Sequence, residues 1–201
     1  EDENRFSPEF LDAINAQLDE LETVGAQGLV TTARGKFYTN GLDLDWLAAH
    51  AEQTQSYVAR VQALLARVLT LPMPTAAAVT GHAFGAGAML AMAHDVRVMR
   101  ADRGFFCFPE VDIRIPFTDG MAALIQAKLT PRAAVASMTT GRRFGGLEAA
   151  EFGIVDATAA EGAVTAAATD LLRPLAGKDP GTLGAIKRTM FRTAAQALTN
   201  A

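Results

Sequence analysis

The chain has 201 residues, half of them hydrophobic and 20% charged, so it can bury a sizeable core and is not compositionally disordered. Its 22 acidic and 18 basic residues give a net charge of -4, and no long basic run is present, which argues against wholesale nucleic-acid binding. A single cysteine, Cys107, excludes an intrachain disulfide framework and a multi-cysteine zinc site; it reads as a small buried hydrophobe in a reducing compartment. No run of eighteen apolar residues occurs, so no membrane span is expected. No signal peptide is visible, and the cytoplasm is the expected location. The sequence begins Glu1-Asp2-Glu3-Asn4 without a starting Met, and it is expected to be part of a longer chain.

Ser7-Pro8-Glu9 reads as N-cap, first-turn proline and early acid. Phe10, Leu11, Ile14, Leu18 and Leu21 then recur at helical spacing, and Gly25 and Gly28 end the helix. Leu29–Thr32 reads as a short strand and 33–41 as a loop. A helix carrying Tyr57, Val58, Val61, Leu64, Leu65 and Val68 is stopped by Pro72 and Pro74. Ala76–Val79 is a small-residue strand running into a loop over 81–87, and a helix follows to Met92 or His94. Val96–Met99 and Phe105–Phe108 read as strands, with Pro109-Glu110 just beyond. The remainder reads as mostly helical, over 121–127, 131–138, 147–150, 162–172 and 183–198, with Ile154-Val155 a short hydrophobic step between helices. Strands alternating with helices predict α/β layering, with a helical second half that offers an oligomer surface. No repeat or domain linker stands out.

Two loops invite attention as anion sites. In Phe37-Tyr38-Thr39-Asn40-Gly41-Leu42-Asp43-Leu44, a strand precedes the loop and a helical turn follows it. The N–H groups opening such a turn lack partners and favour negative charge. Asn40 and Gly41 tolerate a left-handed backbone, which helps aim them. In Gly81-His82-Ala83-Phe84-Gly85-Ala86-Gly87 the glycines permit close approach by a ligand or a packed element, and again a helix begins where the loop ends. This spacing is neither a dinucleotide fingerprint nor a P-loop. Each loop alone also reads as an ordinary turn or packing contact. Together they supply two independent helix-start N–H groups, the arrangement that enolisation of a thioester needs.

These residues resemble the crotonase (enoyl-CoA hydratase/isomerase) superfamily over nearly the whole chain. Three stretches carry the resemblance: Gly35–Leu44, Pro72–Asp95 and Phe105–Ile113; Gly141-Arg142-Arg143-Phe144 and Ala149–Asp156 add to it. The resemblance implies an α/β fold of repeated β-β-α units over residues 1–140. The helical region 141–201 would then serve oligomerisation, as a homotrimer or a dimer of trimers, and pocket closure. It implies that Leu42 and Ala86 donate N–H groups to the thioester oxygen. The backbone of Asn40, Gly41, Leu44 and Gly85 would then lie by the coenzyme A moiety of an acyl-CoA substrate. No cofactor is expected, since coenzyme A is part of the substrate, and no metal. Family members usually carry two more strands before the point where this sequence begins.

The resemblance also bears on the reaction. Hydratases of the family use two glutamates, at the positions of Met89 and Glu110 here, and Met89 cannot handle a proton. Isomerases often keep only the later one. The Glu110–Ile113 segment with Ile115-Pro116-Phe117 is similar to the plant peroxisomal branch of Δ3,Δ2-enoyl-CoA isomerases. Glu110 is therefore expected to be the acid/base, with its pKa raised by Phe105, Phe106, Phe108 and Val111. Read from the residues alone, it is a solvated loop acid. Hydration, another crotonase reaction and non-catalytic acyl-CoA binding stay open as alternatives. Lys187, beside Arg188 on the last helix, is taken as a contact for coenzyme A phosphates, against the alternative of a solvated helix face. Trp46 and Phe84 are candidates for the acyl channel or for plain core. Asp112 reads as structural, and His82 and His94 lack a third ligand for a metal.

Overall fold

The computed structural model describes residues 3–200. The Ser7 hydroxyl accepts the Phe10 N–H at 3.1 Å and starts helix α1, Pro8–Thr23, which sends Leu11 and Leu18 into the core. Three β-β-α rounds follow. The first is β1 (Leu29–Thr32), β2 (Phe37–Thr39), α2 (Leu44–Ala49) and α3 (Thr54–Thr70). The second is β3 (Thr75–Val79), β4 (His82–Phe84) and α4 (Ala86–Ala93). The third is β5 (Val96–Arg100), β6 (Phe106–Cys107) and α5 (Glu110–Ile113). Then come α6 (Asp119–Lys128), α7 (Pro131–Met138), α8 (Gly146–Glu151), β7 (Ala157–Ala159), α9 (Val164–Leu172), α10 (Pro180–Met190) and α11 (Arg192–Thr199).

Each round delivers one strand to each of two parallel sheets. The larger has the order β1-β3-β5-β7 and the smaller β2-β4-β6. Parallel neighbours require a crossover, and the intervening helices supply it. The central strand β3 is buried along its whole length, with period-two alternation. Ala76 and Ala78, with Val98 of β5, face α9 through Val164, Ala168 and Leu172. Ala77, Val79 and Met99 point the other way, into the main core with Tyr57, Leu65 and Met92. The alanines keep β3 thin enough for helices to close on both faces.

The structure differs from the sequence reading in four places. The segments read as loops over 33–41 and 81–87 contain β2 and β4, three residues each. Such strands are too short to show alternation and exist by pairing with one another and with β6. The second half is not purely helical: β7 pairs with β5, and Phe144 bridges Phe106 antiparallel. The last helical stretch is two helices, α10 and α11, broken at Phe191, which is buried. Glu110 opens a short helix rather than sitting in a loop.

Candidate active site

The smaller sheet brings three loops together at the ends of its strands. After β2, the Gly41 N–H donates to Thr39 Oγ1 at 3.0 Å and the Gly41 carbonyl accepts the Phe6 N–H at 2.8 Å. Asp43 caps α2, accepting the Trp46 N–H at 3.1 Å, while its own N–H donates to the Tyr57 hydroxyl at 2.9 Å. Tyr57 in turn donates to the Phe6 carbonyl at 2.7 Å. The Leu42 N–H, between two engaged neighbours, has no acceptor among the described residues. Asn40 is tied through both backbone and side chain to Glu3.

After β4, Gly85 adopts φ 51 and ψ -126, a conformation open essentially to glycine alone. Its N–H donates to the Cys107 carbonyl at 3.0 Å and its carbonyl accepts the Met89 N–H at 3.0 Å. Ala86, the first residue of α4, has an N–H with no acceptor among the described residues. The two loops touch through backbone. A methyl placed on Gly41 would lie 2.8 Å from the Phe84 carbonyl oxygen and 2.9 Å from the Ala86 nitrogen. One placed on Gly87 would lie 2.4 Å from the Thr39 carbonyl oxygen.

Glu110 comes from the third loop, after β6. Its Oε1 faces Gly85, 3.6 Å from where a methyl on that glycine would be. The residue is 9% exposed, and Oε2 has no hydrogen-bond partner among the described residues. Burial pushes its carboxyl up to about 7, offset only in part by its own backbone N–H. Leu42, Gly85, Ala86 and Glu110 all line one cavity of about 390 Å³, together with Asn40, Leu44, Phe84, Ile113 and Ile115. Leu44, Ile113 and Ile115 are each at least 40% exposed, so the cavity has an open apolar wall suited to an alkyl chain. Phe84 is thus on the wall. Trp46 is not: it stacks on His50 and Tyr57, with ring centroids 4.3 and 5.1 Å away. Met89 is buried in the core and does not line the cavity.

The structure corrects the expectation at Lys187. Its side chain is buried, and its ammonium donates to Asp95 Oδ2 at 2.6 Å and to the Met73 carbonyl at 2.7 Å. Asp95 also accepts the N–H and hydroxyl of Thr75, so this cation ties α10 to the start of β3 and holds no phosphate. Lys187→Met is expected to cost about 3 kcal/mol, because it leaves Asp95 uncompensated while part of that carboxylate stays wet. A lower urea midpoint at unchanged m-value would show it; an unchanged midpoint would count against the tie. His94 is also structural, its ring between Thr31 Oγ1 and the Leu90 carbonyl. Sequence reasoning passed over Arg5 and Arg143 as cavity residues. Arg143 belongs to the Gly141-Arg142-Arg143-Phe144 stretch, but nothing in its spacing marks it.

The whole chain, residues 1–201, matches the family model for enoyl-CoA hydratase/isomerase. The chain belongs to the enoyl-CoA hydratase/isomerase family. Among relatives of this hydratase/isomerase family, enoyl-CoA delta isomerase 3 of Arabidopsis thaliana is 40% identical over 176 residues, 83% of this chain and 74% of that protein. The peroxisomal enoyl-CoA delta isomerase 2 of the same plant is 38% identical, over 88% of this chain and 78% of its own length. A crystal structure of a probable enoyl-CoA hydratase from Mycobacterium tuberculosis superposes with a TM-score of 0.90 at 26% identity, covering 98% of this chain and 83% of that one. The architecture is the crotonase-like α/β fold, and the chain is a hydratase/isomerase-family enzyme of acyl-CoA chemistry. The expectation of a cytoplasmic location contrasts with the peroxisomal name of one relative. Among the described residues, no helix is long and apolar enough to cross a membrane.

Proposed function

We propose that the protein is a Δ3,Δ2-enoyl-CoA isomerase. The observation that carries this reading is a buried carboxylate, Glu110, with an unpartnered oxygen, in the same cavity as two unpartnered N–H groups. Glu110 takes a proton from C2 of a 3-enoyl thioester. The C2–H electron pair forms a C1=C2 bond conjugated with C3=C4, and the negative charge of the dienolate falls on the thioester oxygen between the Leu42 and Ala86 N–H groups. Glu110 then returns the proton to C4, leaving a C2=C3 double bond. One carboxylate suffices because the proton it removes is the proton it delivers. A proton affinity near neutrality suits both halves of the transfer. Hydration needs a water held and activated for attack on C3. The family's hydratases resembling crotonase place a second glutamate where Met89 stands.

On this reading the backbone of Asn40, Gly41, Leu44 and Gly85 lies along the coenzyme A arm. Residues 141–201 close the pocket and assemble trimers, with the exposed Ile186 and Met190 of α10 as apolar contact residues. The deciding experiment compares isomerisation of a 3-enoyl-CoA with hydration of a 2-enoyl-CoA. Isomerisation is expected to exceed hydration by about 10²-fold in kcat/KM, the scale of one missing acid/base group. Isomerase kcat/KM should rise with pH through a midpoint of about 7, because the free enzyme needs Glu110 ionised. Hydration at the faster rate would replace this reading with a hydratase.

A further inference from the structure

Two consecutive arginines of the strand-like stretch beside β6 have different fates. Arg142 pairs with Glu148, and its guanidinium lies 5.0 and 5.1 Å from the ring centroids of Phe144 and Phe152. Arg143 lies 5.7 Å over the ring of Phe84, lines the cavity with Glu110, and makes no ion pair among the described residues. The other cation on the cavity wall, Arg5, is already held by Glu3 at 3.0 Å and Asp45 at 2.5 Å. Arg143 makes no ion pair with Glu110 among the described residues, and the raised proton affinity of Glu110 comes from burial. Arg143 also belongs to a group of cations around His82, beside the cavity. His82, stacked among Phe37, Phe84 and Phe105, feels Lys36, Arg103 and Arg143, and none of the three has a carboxylate in ion-pair range among the described residues.

A guanidinium stacked on an aromatic ring is pre-oriented, and its planar fork matches a carboxylate or phosphate. We infer that Arg143 is a specificity-determining residue that binds an oxyanion of the acyl-CoA substrate, either a phosphate of coenzyme A or a carboxylate carried by the acyl group. The inference rests on the acyl-CoA chemistry of the family, not on the choice of isomerisation. It is therefore tested by binding of unreactive, saturated thioesters, so that a failure of the isomerase reading leaves the result interpretable.

Calorimetry would compare wild type, Arg143→Met and Arg143→Lys against three probes: butanoyl-CoA, S-butanoyl-N-acetylcysteamine, which carries no phosphate, and S-glutaryl-N-acetylcysteamine, which carries only an acyl carboxylate. Arg143→Met is expected to weaken at least one anionic probe about tenfold, a value typical of a lost charge-assisted contact, and Arg143→Lys less. Loss confined to butanoyl-CoA identifies the phosphate. Loss on the glutaryl probe identifies the carboxylate. Binding of the uncharged probe should not change. An equal loss on all three probes, which would mean that Arg143 only packs on Phe84, overturns the inference. So does no loss on any. Thermal melts of both variants, expected to match wild type because the side chain is exposed, check that the fold is intact.

Discussion

Glu110→Gln is expected to lower kcat for 3-enoyl-CoA isomerisation by about 10²–10⁴-fold, the range for removing a positioned acid/base group. The same change should make the protein more stable at pH 8. The folded state holds the Glu110 proton more tightly than the unfolded chain does, up to about 7 against 4.5. The protonated carboxyl therefore favours the fold below 4.5, and that contribution is lost as pH rises through about 7. Glutamine stays neutral throughout, so its advantage grows across this interval and then levels off, reaching on the order of 3 kcal/mol. Urea unfolding of both proteins at pH 5 and pH 8 measures it. A stability difference that is the same at the two pH values would contradict a buried, high-affinity carboxyl. An inactive variant that is also more stable is the behaviour of a site whose geometry is held against its own stability.

Gly41→Ala should damage the site through a single added methyl. Its φ of +79 is unfavourable for alanine, and the new carbon would meet both the Phe84 carbonyl oxygen and the Ala86 nitrogen inside 3.0 Å. Relief requires the second loop to move away, which separates the Leu42 and Ala86 N–H groups. A fall in kcat of about 10²–10³-fold is expected, comparable to removing one oxyanion donor. Gly25→Ala is the control: it has φ +64 but no atom within 4 Å of the new methyl, so it carries similar backbone strain without touching the site. A larger melting loss in Gly41→Ala than in Gly25→Ala, with kcat reduced only in Gly41→Ala, is the expected pattern. Normal turnover in Gly41→Ala would remove the paired N–H groups from the proposed mechanism.

Much of this was legible from local signals. Ser7-Pro8 starts α1 because a hydroxyl cap and a fixed φ act within one turn. Thr130-Pro131 starts α7 in the same way, and the strand Leu29–Thr32 falls where its β-branched residues are. The two glycine loops and Glu110 were recognisable from their order along the chain. What was not legible depends on partners distant in sequence. The strands β2 and β4 exist only as neighbours in a sheet, and β7 only because β5 offers it an edge. Lys187 is a surface cation by residue type and an internal tie by position, because Asp95, 92 residues away, meets its ammonium.

The fold family, the residue types of the three loops and the absence of a carboxylate at Met89 can be read without coordinates, since they depend on identity and spacing. Folding in three dimensions is what makes Gly41 and Ala86 meet through backbone, buries Glu110 with an oxygen unpartnered among the described residues, and leaves Arg143, of the two cations on the cavity wall, without a carboxylate among those residues. Proton affinity, close contact and charge compensation are properties of surroundings, and the surroundings of these residues come from three strands that share no local sequence.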